Sequence, residues 1–352
     1  MLTTTDAADT VAGADTAQVT VAFSDGAEHE LAVAPGRSVL DAGLEAGLPL
    51  LYQCRSGSCS SCLATLVEGT AETLPGSASS LLASERAAGH RLLCITEASG
   101  SCRFELPYDS KVGENSATEG HAFINALERV APDVMRLELE LAEGFWFDFR
   151  PGQFIQIKVP GIDQSRSYSI ATTPAELPRI ELLIRLLPGG VMSEYLLERA
   201  AVDEVLKISG PYGSFFLNEG SKAPLVMVAG GTGLAPMMAM IDAIRARPGR
   251  KPPILLSFGC QSEDKLFHRD AIELRQLWLP ELSVTLSVDC GPAPDGVRVG
   301  NPVEAVGLEG PLDPASVAYL CGPPGMIAAA HAHLESLGLA PENIHSEQFV
   351  AS

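Results

Sequence analysis

The sequence predicts a chain of three units: a small α+β unit wrapped around a cysteine loop, an antiparallel β-barrel, and a doubly wound α/β domain with a parallel sheet. Three observations carry this reading. Cys54, Cys59 and Cys62 stand in a C-x4-C-x2-C run within LYQCRSGSCSSC, and Cys94 lies further along. Short alternating strands separated by Pro and Gly turns crowd residues 120–218, the density expected of a barrel. From residue 225 short apolar runs alternate with helical segments, and the first run enters a glycine turn.

Composition sets the outer bounds. A chain of 352 residues with 46% hydrophobic content can bury two or three cores. The expected division is a disordered lead-in over 1–17, a first unit over 18–108, a linker over 109–119, a barrel over 120–218 and a last domain over 219–352. No apolar run approaches membrane-spanning length, so no membrane partner is expected. The first residues carry no basic group and no long apolar core, so neither a secretory nor a transit signal is expected. Eight cysteines, four of them in a cluster pattern, suit a reducing cytoplasm better than a disulfide framework. A net charge of −20 and the absence of Lys and Arg from residues 300–352 argue against nucleic acid as a partner. An acidic surface can steer a basic protein partner, but it also simply keeps a chain soluble.

Residues 18–33 read as two strands around a Ser24-Asp25-Gly26 turn, with Val19, Val21 and Phe23 on one face. Ser38 and Asp41 resemble a capping-box start to a helix that carries Leu40 and Leu44 and ends near Gly47. The cysteine loop follows, and residues 91–94 bring back a fourth thiol. The C-x4-C-x2-C spacing is the plant-type arrangement for a [2Fe–2S] cluster, with Cys54, Cys59, Cys62 and Cys94 as metal ligands. Zinc sites usually take two separated C-x2-C or Cys/His pairs, which this run does not supply; unpaired buried thiols are the plainer alternative. Gly57 and four serines give the loop freedom to curl. LYQCRSGSCSSC and RLLCIT resemble the ferredoxin domains of bacterial oxygenase reductases, which implies a β-grasp fold here. Ser60 departs from the family's usual Gly, so a positive φ there would add strain. Arg55 and the amides of 56–61 are candidates for hydrogen bonds that tune the cluster.

In the barrel, residues 134–141 alternate with Leu137, Leu139 and Leu141 inward. Further strands are expected over 154–159 and 180–187. The run Arg166-Ser167-Tyr168-Ser169 offers a cation for a phosphate, a ring for a planar cofactor and a small polar group. Alone it could be an ordinary strand with an exposed Arg. PGQF before it and RLLPGGVMSEYL after it change that, since the second leads through Gly190 to Ser193 at a helix start, where amides can hold a pyrophosphate. Together these pieces resemble the flavin domain of the ferredoxin–NADP reductase superfamily. The resemblance implies that Arg166 and Ser193 hold the FAD pyrophosphate, with Ser167, Gly190 and Met192 in the binding segments. It further implies that Tyr168 packs on the flavin and that Ser169 lies near its reactive nitrogen.

Residues 225–229 form a short apolar run that opens into Gly230-Gly231-Thr232-Gly233-Leu234-Ala235-Pro236 and a helix. Glycine at such a junction lets the backbone approach a phosphate. GGTGLAP resembles the pyridine-nucleotide loop of the same superfamily and is not a G-x-G-x-x-G match. Strands over 254–258, 284–288 and 317–320 complete a parallel sheet. The last ends in Cys321-Gly322-Pro323-Pro324-Gly325-Met326. The resemblance implies a cysteine beside the meeting point of nicotinamide and flavin; without that context Cys321 is a small buried residue. Glu263 and Asp264 after the second strand favour a bare ribose hydroxyl and hence NADH, although Lys265 and Arg269 lie close. Phe349 resembles the aromatic that superfamily members place against the flavin, and it could equally be local packing. His268, His331, His333 and His345 have no ligand spacing and read as surface or helix residues.

The resemblance runs from about residue 18 onward and is to the reductase component of two-component Rieske aromatic-ring dioxygenases, of the benzoate, toluate or anthranilate type. It implies a terminal oxygenase as partner, with electrons passing from NADH through FAD and the [2Fe–2S] cluster one at a time. The reductases of di-iron phenol or methane monooxygenases share the domain order and are the alternative. A zinc-binding module fused to a nucleotide-sensing domain is a non-enzymatic alternative.

Overall fold

The computed structural model describes residues 16–114, 117–218, 220–308 and 310–349. Most of the lead-in, residues 1–15, lies outside them.

In the first unit, β1 (Ala17–Ala22) and β2 (Glu28–Val33) form the expected hairpin. Val19, Val21 and Phe23 are buried together, as the period-2 pattern requires. Helix α1 (Val39–Glu45) starts at Ser38, whose hydroxyl accepts the Asp41 amide at 3.0 Å. Then come β3 (Leu63–Thr73), α2 (Ala83–Ala87), β4 (His90–Leu92) and β5 (Thr96–Glu105). The sheet order β2-β1-β5-β3-β4, with β1 parallel to β5 and α1 against it, is a β-grasp unit. Within the expected linker, α3 (Ser110–Glu114) forms a short helix and Val112 is buried in this unit's core.

The barrel comprises β6 (Thr118–Ala131), β7 (Val134–Leu141), β8 (Phe154–Lys158), β9 (Ser165–Ser169), β10 (Arg179–Arg185), α4 (Val191–Glu198) and β11 (Val205–Tyr212). Every neighbouring pair in the order β10-β7-β6-β11-β8-β9 is antiparallel. A bridge between Ile170 and Leu182 joins the two ends. Leu137, Leu139 and Leu141 point into the core, and β7 alternates along its length.

The last domain holds β12 (Leu225–Gly230), α5 (Leu234–Ala246), β13 (Ile254–Cys260), α6 (Arg269–Trp278), β14 (Leu282–Val288), β15 (Val297–Val299), β16 (Val317–Gly322), α7 (Pro324–Ser336) and β17 (Ile344–Gln348). The sheet β15-β14-β13-β12-β16-β17 is wholly parallel. The strand order reverses between β12 and β16, and in open α/β sheets ligands enter at such a switch point. Among the described residues no helix is long and apolar enough to cross a membrane.

The first unit packs on both other units. The Ser60 carbonyl accepts the Ser214 hydroxyl at 3.0 Å, just after β11. Arg150 of the barrel reaches Asp109 at 3.4 Å and stacks on Phe216, itself part of the first unit's core. Against the last domain, Glu85 of α2 accepts the Ser346 hydroxyl at 2.7 Å and faces His331 Nε2 at 3.5 Å. Gln348 donates to the Ser80 carbonyl at 3.2 Å. His331 is a helix residue, as the sequence suggests, but its side chain is buried at this junction between units, where His90 and His345 are half-buried; His345 lies on β17, which corrects its reading as a surface or helix residue.

Candidate functional site

Three local geometries make up the candidate site. The first is the cysteine loop. Gly57 sits at φ 79°, and a Cβ there would lie 2.4 Å from the Ala78 carbonyl, so only glycine lets the loop close. Ser60 takes φ 54°, the positive value that its departure from Gly foreshadowed. The thiols form a connected series: Cys54 adjoins Cys59 and Cys94, and Cys94 adjoins Cys62. The hydrogen bond from Cys59 draws Cys54 well below the ordinary thiol range, and Cys59 rises in exchange. Cys94 does the same for Cys62, and burial opposes charge at every member. Four thiolates in this space need a positively charged core between them, and the donor set fits iron. Amides of Cys54, Ser56 and Cys94 each approach a cysteine sulfur at 3.4 Å. Arg55 does not: its guanidinium pairs with Asp41 at 3.0 Å and lies over Tyr52, because a full carboxylate outcompetes a sulfur.

The second is the barrel edge. On β9, Arg166 and Tyr168 share one half-buried face and Ser169 is buried. Arg166 donates to the Ser165 carbonyl and the Gln164 side chain, and Ser167 accepts from Gln156 at 3.4 Å. Tyr168 packs on the same core as Val191 and Met192, which brings the strand to the start of α4. Gly190 caps α4 without a side-chain acceptor, so the first amides of the helix are open to a phosphate. Ser193 uses its hydroxyl to accept the Leu187 amide at 2.8 Å, fixing the loop that leads into α4. Met192 is buried in the barrel core, so only its main chain can meet a cofactor.

The third is the turn after β12. A Cβ on Gly233 would lie 2.1 Å from the Cys321 carbonyl oxygen, so the turn is pressed against the end of β16. Leu234 and Pro236 are core residues whose contribution is the helix start itself. A 390 Å³ cavity opens here, lined by Gly230, Gly231, Thr232, Pro323 and Met326 on one side and Gln261, Lys265 and Asp289 on the other. Glu263, the residue the sequence offers for the ribose, is exposed and is not among the residues that line it. The chain leaves β13 through a single 3-10 turn over Glu263–Lys265, and Lys265 is the side chain that folds back, donating to Gln261 at 2.8 Å. Cys321 is wholly buried, and burial pushes its thiol well up. The Phe349 amide donates to the Gly322 carbonyl at 2.9 Å, and its ring packs on the cluster that contains Cys321.

Sequence reasoning missed Glu347. From β17 its carboxylate accepts the Ser169 hydroxyl at 3.1 Å, and burial pushes its pKa up to about 8. Gly213 comes within 3.9 Å of the same carboxylate as measured from a Cβ placed on it, and the next residue, Ser214, bonds the cysteine loop. The Ser169–Glu347 pair and the cysteine loop are therefore neighbours. The usable signal was position: β17 ends beside the strand that carries Cys321, where open parallel sheets hold their ligands.

Three domain families match the chain: a 2Fe-2S iron-sulfur cluster binding domain over residues 22–99, an oxidoreductase FAD-binding domain over 121–217 and an oxidoreductase NAD-binding domain over 227–332. The toluate 1,2-dioxygenase electron transfer component of Pseudomonas putida is 31% identical over 344 residues, covering 96% of this chain and 99% of that one. The chain belongs to the family of iron–sulfur flavoprotein electron-transfer reductases. The propane 2-monooxygenase reductase component of Gordonia sp. (strain TY-5) is 33% identical to this reductase over 330 residues, 92% of this chain and 94% of that one. The crystal structure of an Amycolatopsis cytochrome P450 reductase superposes on the reductase with a TM-score of 0.71 at 27% identity, covering 95% and 99% of the two chains.

Proposed function

We propose that this reductase takes electrons from NADH and delivers them singly to a terminal Rieske ring-hydroxylating dioxygenase acting on an aromatic acid, with Cys54, Cys59, Cys62 and Cys94 holding its cluster. The observation that carries the route is the Ser60–Ser214 hydrogen bond, one residue from the segment that adjoins Glu347 and Ser169. Bound FAD accepts the electron pair of a hydride and gives electrons up singly, and the iron–sulfur core carries one at a time.

The chain's own residues position and neutralise. Arg166 and the open amides of α4 would take the FAD pyrophosphate, Ser193 holds the preceding loop, and Tyr168 would offer its ring to the flavin. The Gly230-Gly231-Thr232 main chain, which lines the cavity, would take the pyrophosphate of the nicotinamide cofactor, and Arg185 would neutralise it from the cavity wall. Cys321, kept neutral, closes the nicotinamide side, and Phe349 packs beside it. Burial keeps a proton on Glu347 at neutral pH, and the Ser169 hydroxyl that pairs with it would be the group to exchange that proton with a flavin held along β9.

The near end-to-end match with the toluate component supports a Rieske acceptor. The match with the propane 2-monooxygenase component favours a second reading, a di-iron monooxygenase as acceptor. Anaerobic mixing with one equivalent of NADH should bleach a flavin band and then raise the electron paramagnetic resonance signal of a reduced [2Fe–2S] cluster. Absence of that signal in iron-replete protein would end the proposal. Turnover with a purified di-iron oxygenase and none with a Rieske oxygenase would select the second reading.

A further inference from the structure

The cavity beside the Gly230–Gly233 turn carries four charged side chains, and two of them come from the barrel. Arg185 ends β10, a strand that packs against the glycine turn, so its charge lies at the pyrophosphate end. Asp133 lies in the turn between β6 and β7 and reaches the opposite end, where β13 and β14 finish. There its Oδ2 stands 3.2 Å from Lys265 Nζ, and Lys265 also donates to Gln261 Oε1 at 2.8 Å. Asp289, just past β14, completes that end. In a doubly wound sheet the ends of these two strands meet the adenosine ribose.

A ribose bearing a 2′-phosphate brings added negative charge and needs a free cation, while a bare hydroxyl needs an acceptor. Among the described residues Lys265 is the only cation lining the ribose end, and Asp133 and Gln261 occupy it. Two carboxylates against one ammonium leave that end net negative. We propose that Asp133 sets the choice of dinucleotide: by holding Lys265 it withholds the one cation a 2′-phosphate could use, so NADH is taken and NADPH refused. The selectivity determinant would then sit in the flavin domain and act on the neighbouring domain's pocket. This rests on the reading of the cavity as a pyridine-nucleotide site.

The test uses the full-length holoprotein and two probes that need no redox turnover, 5′-AMP and adenosine 2′,5′-bisphosphate, titrated calorimetrically. Wild type should bind 5′-AMP and take the bisphosphate at least tenfold more weakly. D133N, which keeps side-chain shape, should tighten the bisphosphate about tenfold, or ~1.4 kcal/mol, and leave 5′-AMP unchanged. D133E should behave as wild type, and D133N/K265Q should lose the gain. In steady state D133N should lower KM for NADPH with kcat unchanged. Equal effects of D133N on both probes, or a gain that survives K265Q, would overturn the role of Asp133. Failure of wild type to bind either probe would overturn the cavity reading, and the proposal with it.

Discussion

Glu347→Gln tests the buried acid at the junction of barrel and last domain. Burial pushes the Glu347 carboxyl up to about 8, against 4.5 for an exposed glutamate. At 1.36 kcal/mol per tenfold change, ionising it in place costs on the order of 5 kcal/mol. The folded protein therefore keeps a proton that the unfolded chain releases. This group's contribution to stability is fully present below the unfolded value near 4.5, falls as pH rises toward 8, and is gone above that. Glutamine stays neutral throughout and can still pair with Ser169. The variant should lose most of this slope, melt close to wild type near pH 5, and melt several degrees higher at pH 9, even if only a third of the figure is realised. Scanning calorimetry of both proteins from pH 5 to 9 reads the difference directly. Parallel melting curves across that range would refute the placement of a protonated acid beside Ser169.

Other outcomes follow from the same geometry. Gly233→Ala sets a methyl 2.1 Å from the Cys321 carbonyl, a main-chain group that cannot swing aside, so calorimetric binding of 5′-AMP should fall at least a hundredfold. Ser60→Gly removes a side chain from φ 54° while keeping the carbonyl that accepts from Ser214. Its relief of left-handed strain, offset in part by glycine's greater freedom when unfolded, should raise stability by roughly 0.5–1 kcal/mol in urea titrations. At the contact of α2 and β4 with α7 and β17, burial lowers the pKa of His90, His331 and His345, the last to about 4, while Glu85 and Glu335 oppose the shift and Arg91 adds to it. The docked state binds fewer protons, so docking of the first unit should hold above pH 6.5 and weaken as pH falls from there toward 4. Small-angle scattering should record a larger radius of gyration at pH 5 than at pH 7.5, and a His331→Gln, His345→Gln double variant should shrink that difference.

Local signals were readable wherever chemistry and spacing coincide. The cysteine loop, the Ser38 cap, the inward leucines of β7 and the glycine turn after β12 each need only a dozen residues to declare themselves. Strand β6 did not, because register shifts near Ile124 and Ala131 break its alternation. Strand β17, Ile-His-Ser-Glu-Gln, carries no apolar pattern, since its side chains serve contacts between units. Glu347 was invisible for a related reason: its partner Ser169 lies 178 positions away. After β13 a single 3-10 turn decides that Lys265 and not Glu263 lines the cavity, a detail no local spacing displays.

Strand β17 also bears on how the protein is made. It is translated long after the units it joins, with Ser346 lying 261 positions beyond the Glu85 it touches. A nascent chain can complete the cysteine unit and the barrel while Glu347 is still missing from Ser169 and the contacts through Ser346 and Gln348 are unmade. The Ser169–Glu347 pair and the clasp between the first unit and the last domain are thus among the last contacts the chain can make as it is synthesised.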